Sequence, residues 1–307
     1  MRKLFFWVEE YLFYPKKTSQ KILSFLLIPF TAIYCIIVLS KRAFSKPKEF
    51  GLPVISIGNL TVGGNGKTPF TLALLKNQKN SAVILRGYKR KGTKLLNVTE
   101  HTPVKSCGDE ALLYKNYLKD TMVLVSKNRE DAIVYAKKHG IKSVFLDDAF
   151  HKHNIKKFDI LLKPAQEPTN NFCLPSGGYR EPKSLYKKAD IVAVEEKDFT
   201  RKVTIINPTD KMVLVTAIAK PERLETYLPK DGTLIAKEYF EDHHFFTQKE
   251  LKDIFLKYNA SSLLVTAKDM VKIKNFDLPL SVMELEVIID KKIIRKIKSF
   301  IDNYGNI

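Results

Sequence analysis

Eight residues, Thr61-Val62-Gly63-Gly64-Asn65-Gly66-Lys67-Thr68, follow closely on the apolar run Pro53-Val54-Ile55-Ser56-Ile57. A β-branched run, a glycine-rich turn and Gly-Lys-Thr opening a helical pattern form the layout of a phosphate-binding loop. The glycines let backbone N–H groups converge on an anion, and the helix start adds its positive dipole end. In that layout Lys67 bridges the β- and γ-phosphates and the Thr68 hydroxyl holds Mg²⁺. The common pattern has glycine at the first position, where this chain has Thr61. The strand before and the helix after carry the reading, and the chain is expected to bind a nucleoside triphosphate.

Further along, Val144-Phe145-Leu146-Asp147-Asp148 is an apolar strand ending in two acids. An acid at the carboxyl end of a strand beside the loop reaches the Mg²⁺ next to the phosphates. Neighbouring residues on an extended chain point to opposite sides, so one of Asp147 and Asp148 is expected on the metal and the other toward a cleft. Gly108-Asp109-Glu110 stands where a helix begins, and by itself Asp109 reads as a cap or a dipole complement. Asp242-His243-His244 follows a strand, and its histidines suit metal ligation or acid–base work. Consecutive residues of an extended backbone do not both face one metal, so one functional histidine and one bystander are expected. Arg86-Gly87-Tyr88-Lys89-Arg90-Lys91 and the stretch around Tyr179-Arg180-Glu181 are basic loops that suit phosphate or solvent equally.

The elements that must position these residues follow an α/β pattern. Short β-branched runs at 54–57, 82–85, 122–125, 144–146, 160–162 and 191–194 alternate with helical stretches at 68–79, 109–118 and 129–139. This alternation predicts a mostly parallel sheet with helices on both faces. A second series has strands at 212–218, 233–239, 262–266 and 280–287. Its helices run over 221–228, onward from Gln248 behind a Thr247/Glu250 capping box, and onward from Asp290. The expected division is an N-terminal segment 1–50, a P-loop lobe 51–198, a linker 199–211 and a smaller α/β lobe 212–307, with a cleft between the lobes.

At 307 residues the chain is long enough for one large or two modest cores, and its composition is that of a globular protein rather than a disordered one. With 52 basic against 33 acidic residues the net charge is +19, which attracts nucleic acid, anionic lipid headgroups or phosphorylated substrates. A lysine-rich compositional bias is the plain alternative. Cys35, Cys107 and Cys173 lie far apart with no CxxC pair, so neither a disulfide framework nor a zinc site is indicated.

Residues 22–39 read ILSFLLIPFTAIYCIIVL without a charge, flanked by Lys16, Lys17 and Lys21 before and Lys41, Arg42, Lys46 and Lys48 after. The length is short for a span, Pro29 interrupts it, and positive charge on both sides removes the usual orienting asymmetry. A monotopic anchor with its lysines on anionic headgroups is expected. A buried helix hairpin and a single span are the alternatives. The composition break at Phe50-Gly51 predicts a separable segment, whose removal would leave the catalytic lobe folded.

Taken in order, several of these stretches resemble the tetraacyldisaccharide 4′-kinase family, the lipid A 4′-kinases of Gram-negative bacteria. The resemblance rests on Ile57-Gly58-Asn59-Leu60-Thr61-Val62-Gly63-Gly64 into Gly66-Lys67-Thr68-Pro69, on Arg86-Gly87-Tyr88, Gly108-Asp109-Glu110 and Leu146-Asp147-Asp148. It continues through Leu174-Pro175-Ser176-Gly177 with Tyr179-Arg180-Glu181-Pro182, Ala217-Ile218 with Pro221-Glu222-Arg223, Asp242-His243-His244 and Thr266-Ala267-Lys268-Asp269. In that family the first loop position is commonly Ser or Thr, which accommodates Thr61. Ala149-Phe150-His151 and Ala267 depart from its common residues.

The resemblance implies ATP and Mg²⁺ as cofactors and phosphorylation of the 4′-hydroxyl of a lipid-linked glucosamine disaccharide 1-phosphate. It also implies residence on the cytoplasmic face of the inner membrane. Asp109 is implied as the base and His243 as its support, brought together by closure of two lobes, with His244 the bystander. Arg86 and Arg180 are the candidate contacts to substrate phosphate. Two other functions compete. A P-loop switch acting through a protein partner is disfavoured because Thr266-Ala267-Lys268-Asp269 does not match a guanine-reading strand end. A nucleic-acid-dependent ATPase lacks an arginine-rich helix or aromatic RNA motif. No nucleic acid and no obligate protein partner are expected.

Overall fold

The structure is a computed structural model that describes residues 2–63, 66–88, 90 and 92–305. Three helices, α1 (Arg2–Phe13), α2 (Thr18–Leu26) and α3 (Ile28–Ala43), precede β1 (Val54–Gly58) and α4 (Lys67–Leu75). Then come β2 (Ser81–Leu85), β3 (Leu96–Asn97), α5 (Val104–Cys107), α6 (Asp109–Tyr117), β4 (Met122–Val125), α7 (Arg129–Lys138) and β5 (Ser143–Asp147). The middle of the chain holds β6 (Phe158–Lys163), β7 (Ile191–Val194), β8 (Phe199–Ile206), β9 (Met212–Thr216) and β10 (Leu234–Tyr239). It closes with α8 (Gln248–Lys257), β11 (Ser262–Thr266), α9 (Ala267–Ile273), β12 (Leu280–Ile289) and α10 (Lys291–Asp302).

Contacts divide the chain into two units. The first comprises residues 1–67, 142–199 and 290–307, and the second 68–141 and 200–289. The first unit is built on parallel strands in the order β5-β1-β6-β7, with Ile55 opposite both Phe145 and Phe158. Every residue of β1 and β5 is buried, as strands covered on both faces require. In the second unit β2 pairs parallel with β4, and β3 antiparallel with it. A five-stranded sheet, β10-β9-β11-β12-β8, carries the rest of that unit's core, with Val213, Val215, Leu263 and Val265 fully buried.

The α/β class and the parallel strands agree with the sequence reading; three local expectations change. Residues 199–211, read as a linker, contribute β8, whose alternating buried and exposed residues are those of an edge strand with one covered face. The contacts also group the chain differently from a linear division: α10 joins the first unit through Lys296 Nζ, which donates to the Asp190 carbonyl, and through Phe300 tilted against Phe158. Finally, Pro29 does not interrupt a helix but starts one. It sits in the first turn of α3, where a missing N–H has no intrahelical partner to lose, and α2 ends at Leu26 before it.

The N-terminal helices are not a detachable segment. Tyr11 Oη donates to the Pro175 carbonyl (2.9 Å), Thr31 Oγ1 to Ser176 Oγ (2.7 Å) and Tyr34 Oη to the Arg180 carbonyl (2.8 Å). Ser24 Oγ donates to the Ser176 carbonyl. A Cβ on Gly178 would lie 2.3 Å from the Phe13 ring, so α1 packs where only glycine fits. Removing residues 1–50 would leave these polar groups of 170–181 without partners, contrary to the separable segment expected from composition.

Candidate functional site

The phosphate loop begins where β1 runs out. Gly58 is required by close approach, since a Cβ there would lie 2.7 Å from Phe150 Cβ. Asn59 then folds its amide back, donating to the Thr61 carbonyl (2.9 Å) and to Thr61 Oγ1 (3.2 Å). Val62 N donates to the Gly178 carbonyl (2.8 Å) and Arg180 N to that of Leu60 (2.7 Å), so residues 178–180 buttress the loop. Gly63 and Gly66 adopt positive φ (93° and 73°), the left-handed conformation for which the turn needs glycine. Gly64 and Asn65, also expected in the phosphate cradle, lie outside the described residues. Lys67 is the first residue of α4, followed by Thr68.

Around Lys67 the first unit assembles a charged network. Lys67 Nζ donates to Asn59 Oδ1 (2.9 Å) and lies 3.5 Å from Asp148 Oδ1. Arg180 reaches both oxygens of Asp148 (3.1 and 3.3 Å) as a two-pronged guanidinium–carboxylate pair, and also bonds Asn59. Partial burial pushes the Asp148 carboxyl up, but Lys67 and Arg180 outweigh it and bring its pKa down to about 2. The two acids differ in exposure: Asp147, the last residue of β5, is buried, whereas the Asp148 side chain keeps 43% of its surface. Asp148 takes φ 51°, in the left-handed region that Asp tolerates better than most residues, so the chain turns there rather than staying extended. Next to Arg180, Glu181 is buried 3.9 Å from both Arg42 and His153, and burial raises its carboxyl pKa to about 6.

The second constellation lies wholly in the second unit. Asp109 opens α6, but Gly108 is the N-cap, and Asp109 Oδ1 accepts from the next amide, Glu110 N (2.9 Å). Asp109 Oδ2 accepts from His243 Nδ1 at 2.8 Å, and both side chains are nearly buried. Burial pushes the Asp109 carboxyl up, but the His243 hydrogen bond with the charges of Lys268, His243 and Lys272 overrides it, leaving the pKa below the ordinary value. His243 follows β10 at φ 65°, a conformation uncommon for non-glycine residues, fixed by its N–H donating to the Ala217 carbonyl (3.1 Å). Tyr88 lies against the imidazole, with ring centroids 5.5 Å apart. The expectation that closure of two lobes brings Asp109 to His243 is thereby corrected: α6 packs on α9 in one unit, and the pair is already in contact.

Other expected site residues fall elsewhere. His244 Nε2 meets Glu250 Oε2 at 2.9 Å and its ring stacks on Phe240, so it ties down the start of α8. Arg180 belongs to the network around Lys67. Arg86 is exposed and makes no hydrogen bond or ion pair among the described residues. Lys89 and Lys91 of its loop lie outside the described residues. No group of three or more His, Cys, Asp or Glu suited to a metal occurs among the described residues. Asp147 and Asp148 in the first unit, and Thr68 at the start of the second, each offer hard oxygen donors, the kind that Mg²⁺ accepts alongside phosphate and water. Asn59 and Lys268 were not singled out as site residues by sequence reasoning, although both lie in stretches quoted for the resemblance.

Comparison with known proteins places this geometry. The family model described as tetraacyldisaccharide-1-P 4′-kinase matches residues 23–302. A tetraacyldisaccharide 4′-kinase of Aliarcobacter butzleri is 50% identical, covering 99% of each chain. One of Helicobacter pylori is 45% identical over 95% of this chain and 94% of its own. That of Campylobacter jejuni is 40% identical over 97% and 96%. The crystal structure of LpxK from Aquifex aeolicus in complex with ATP superposes with a TM-score of 0.76, covering 91% of this chain and 99% of that one. At 24% identity it supports the fold alone. Matched nearly end to end by sequence, and by a fold that sets a phosphate loop on parallel strands, this chain belongs to the tetraacyldisaccharide 4′-kinase family.

Proposed function

We propose that this chain transfers the γ-phosphoryl group of ATP to the 4′-hydroxyl of a tetraacylated glucosamine disaccharide 1-phosphate, a late step in lipid A biosynthesis. It is an ATP-dependent kinase with an alcohol as acceptor. The observation that carries the reading is the Asp109–His243 pair at 2.8 Å, because an alcohol must lose a proton on phosphorylation and a nucleotide switch has no use for such a pair. Asp109 accepts that proton, and His243, donating from Nδ1, holds the carboxylate in place. Lys67 and the backbone of Thr61–Lys67 take the triphosphate. Arg180 and Arg86 are the candidate contacts to substrate phosphate. Mg²⁺ would be held by Thr68 with Asp147 or Asp148, where it neutralises charge on the phosphates. Incubation with γ-labelled ATP and a Gram-negative lipid extract is expected to label a tetraacylated disaccharide phosphate. Label appearing only as inorganic phosphate, or on a protein, would favour the switch.

The acyl-chain substrate calls for an enzyme on the lipid surface, and we infer that α2 and α3 seat it on the anionic cytoplasmic face of the inner membrane. Support comes from their inverted amphipathicity. Gln20, Ser24 and Thr31 are the buried residues of these helices, whereas Phe25 (73% exposed), Phe30 (61%) and Ile36 (64%) face outward. Among the described residues no single helix is long and apolar enough to cross a membrane, but α2 and α3, bent by 53°, together pass that test. Flanking lysines suit anionic headgroups. The wild-type protein is expected to float with phosphatidylglycerol-containing vesicles, and Phe25→Glu with Ile36→Glu to remain in solution at unchanged Tm. Undiminished flotation of the double variant would refute the seat.

A further inference from the structure

Lys268 is a lysine at the wrong end of a helix. It is the second residue of α9, where the dipole disfavours a cation, and its side chain is only 21% exposed. Its ammonium lies 3.7 Å from Asp109 Oδ2, 3.7 Å from Asp242 Oδ1 and 4.0 Å from Glu110 Oε1. It donates no hydrogen bond among the described residues, so none of these acids binds it closely, and all three share its charge.

Its position is fixed from the neighbouring residue. Asp269 is fully buried and accepts from Thr216 Oγ1 (2.7 Å), Thr266 Oγ1 (2.8 Å) and Ala217 N (3.2 Å), and its other oxygen pairs with Lys272 (2.7 Å). This clamp fastens the head of α9 to the end of β9. Ala217 in turn accepts from His243 N, so one buried carboxylate sets the backbone on both sides of Asp109.

We propose that Lys268 is a positioning residue for phosphoryl transfer, holding the Asp109 carboxylate ionised and aligned among three crowded acids. The proposal rests on the reading of Asp109 as the base. The groups facing Asp109 are His243 and Asp242 from the loop after β10, Lys268 and Lys272 from α9, Glu110 from its own helix, Cys107 from the end of α5 and Tyr88 from the loop after β2. With Lys268 gone, Asp109, Glu110 and Asp242 repel one another and the incoming phosphates, and Asp109 takes up a proton at higher pH. Burial draws the lysine pKa down, but Asp109, Glu110 and Asp242 more than restore it, so the charge is present across the working range.

The test is the pH profile of kcat/KM for Lys268→Met, Lys268→Arg and Asp109→Asn. A base with a lowered pKa is lost only as pH falls through that value. Lys268→Met is therefore expected to move the acidic limb up by about one pH unit or more, and Lys268→Arg to leave it in place. An unmoved limb in Lys268→Met, whether activity falls or not, would overturn the proposal and leave the lysine a packing residue. Near-normal activity of Asp109→Asn would instead sink the reading of Asp109 as base. If Lys268→Met does not fold, Lys268→Gln carries the same measurement, and failure of both to fold would make the lysine structural and overturn the proposal.

Discussion

Replacing Lys67 by alanine is expected to lower kcat/KM by about 10²-fold or more. The ammonium sits at the head of α4, 2.9 Å from Asn59 Oδ1 and 3.5 Å from Asp148. It is the only flexible cation supplied by the loop itself, and charge spreading over the transferring phosphoryl oxygens has nothing equivalent to replace it. The fold should survive the change, because Arg180 still pairs with both oxygens of Asp148 and the loop is buttressed through backbone bonds. Steady-state kinetics beside a thermal melt checks both halves. Activity within a few fold of wild type would mean that the triphosphate binds elsewhere.

The second large effect concerns Asp109 and His243. Asp109→Ala and His243→Ala should each depress kcat by about 10²-fold, with smaller changes in KM for ATP. The double variant should be little worse than the poorer single one, because the two side chains share one short hydrogen bond and act as a unit. Losses that multiply would show independent roles. His244→Ala should mainly loosen the start of α8, where its ring meets Glu250, and a large kcat loss there would mean that the functional histidine is misassigned. Phosphoryl transfer has a loose transition state, so the proton acceptor matters less than the charge clamp, and residual activity is expected in every one of these variants.

Much of this was legible in the chain, and what was not has identifiable causes. The strands of the first unit were plain because both their faces are covered, which demands apolar runs such as Val144-Phe145-Leu146. The phosphate loop was legible because its glycines are a conformational requirement, as the positive φ of Gly63 and Gly66 bears out. Strand β8 was read only as a linker with some strand character because, at an edge with one face covered, it is half polar, and Arg201 puts a charge on the more covered side of its period of two. Helix α9 was missed because only seven residues support it and its strongest determinant, buried Asp269, works through distant Thr216 and Ala217. The contact of Asp109 with His243, 134 residues apart, rests on tertiary packing of α6 on α9. No local pattern encodes it. Asn59 escaped notice for a similar reason: beside a glycine loop it looks like a turn residue, and only the fold turns its amide oxygen to Lys67 and Arg180.

The inward polar and outward apolar faces of α2 and α3 have a consequence for the order of events on the ribosome. Ser24 finds its partner 152 residues downstream, Thr31 145 and Tyr34 146. At about 5–20 residues per second of synthesis, roughly ten seconds or more separate the emergence of these helices from that of residues 173–181. Throughout that interval this greasy stretch is already made, while the downstream residues that bond its polar edge are not. Whatever meets α2 and α3 first, lipid or chaperone, therefore acts before the β1–β5 sheet can close, and these early helices are fastened only by residues made much later.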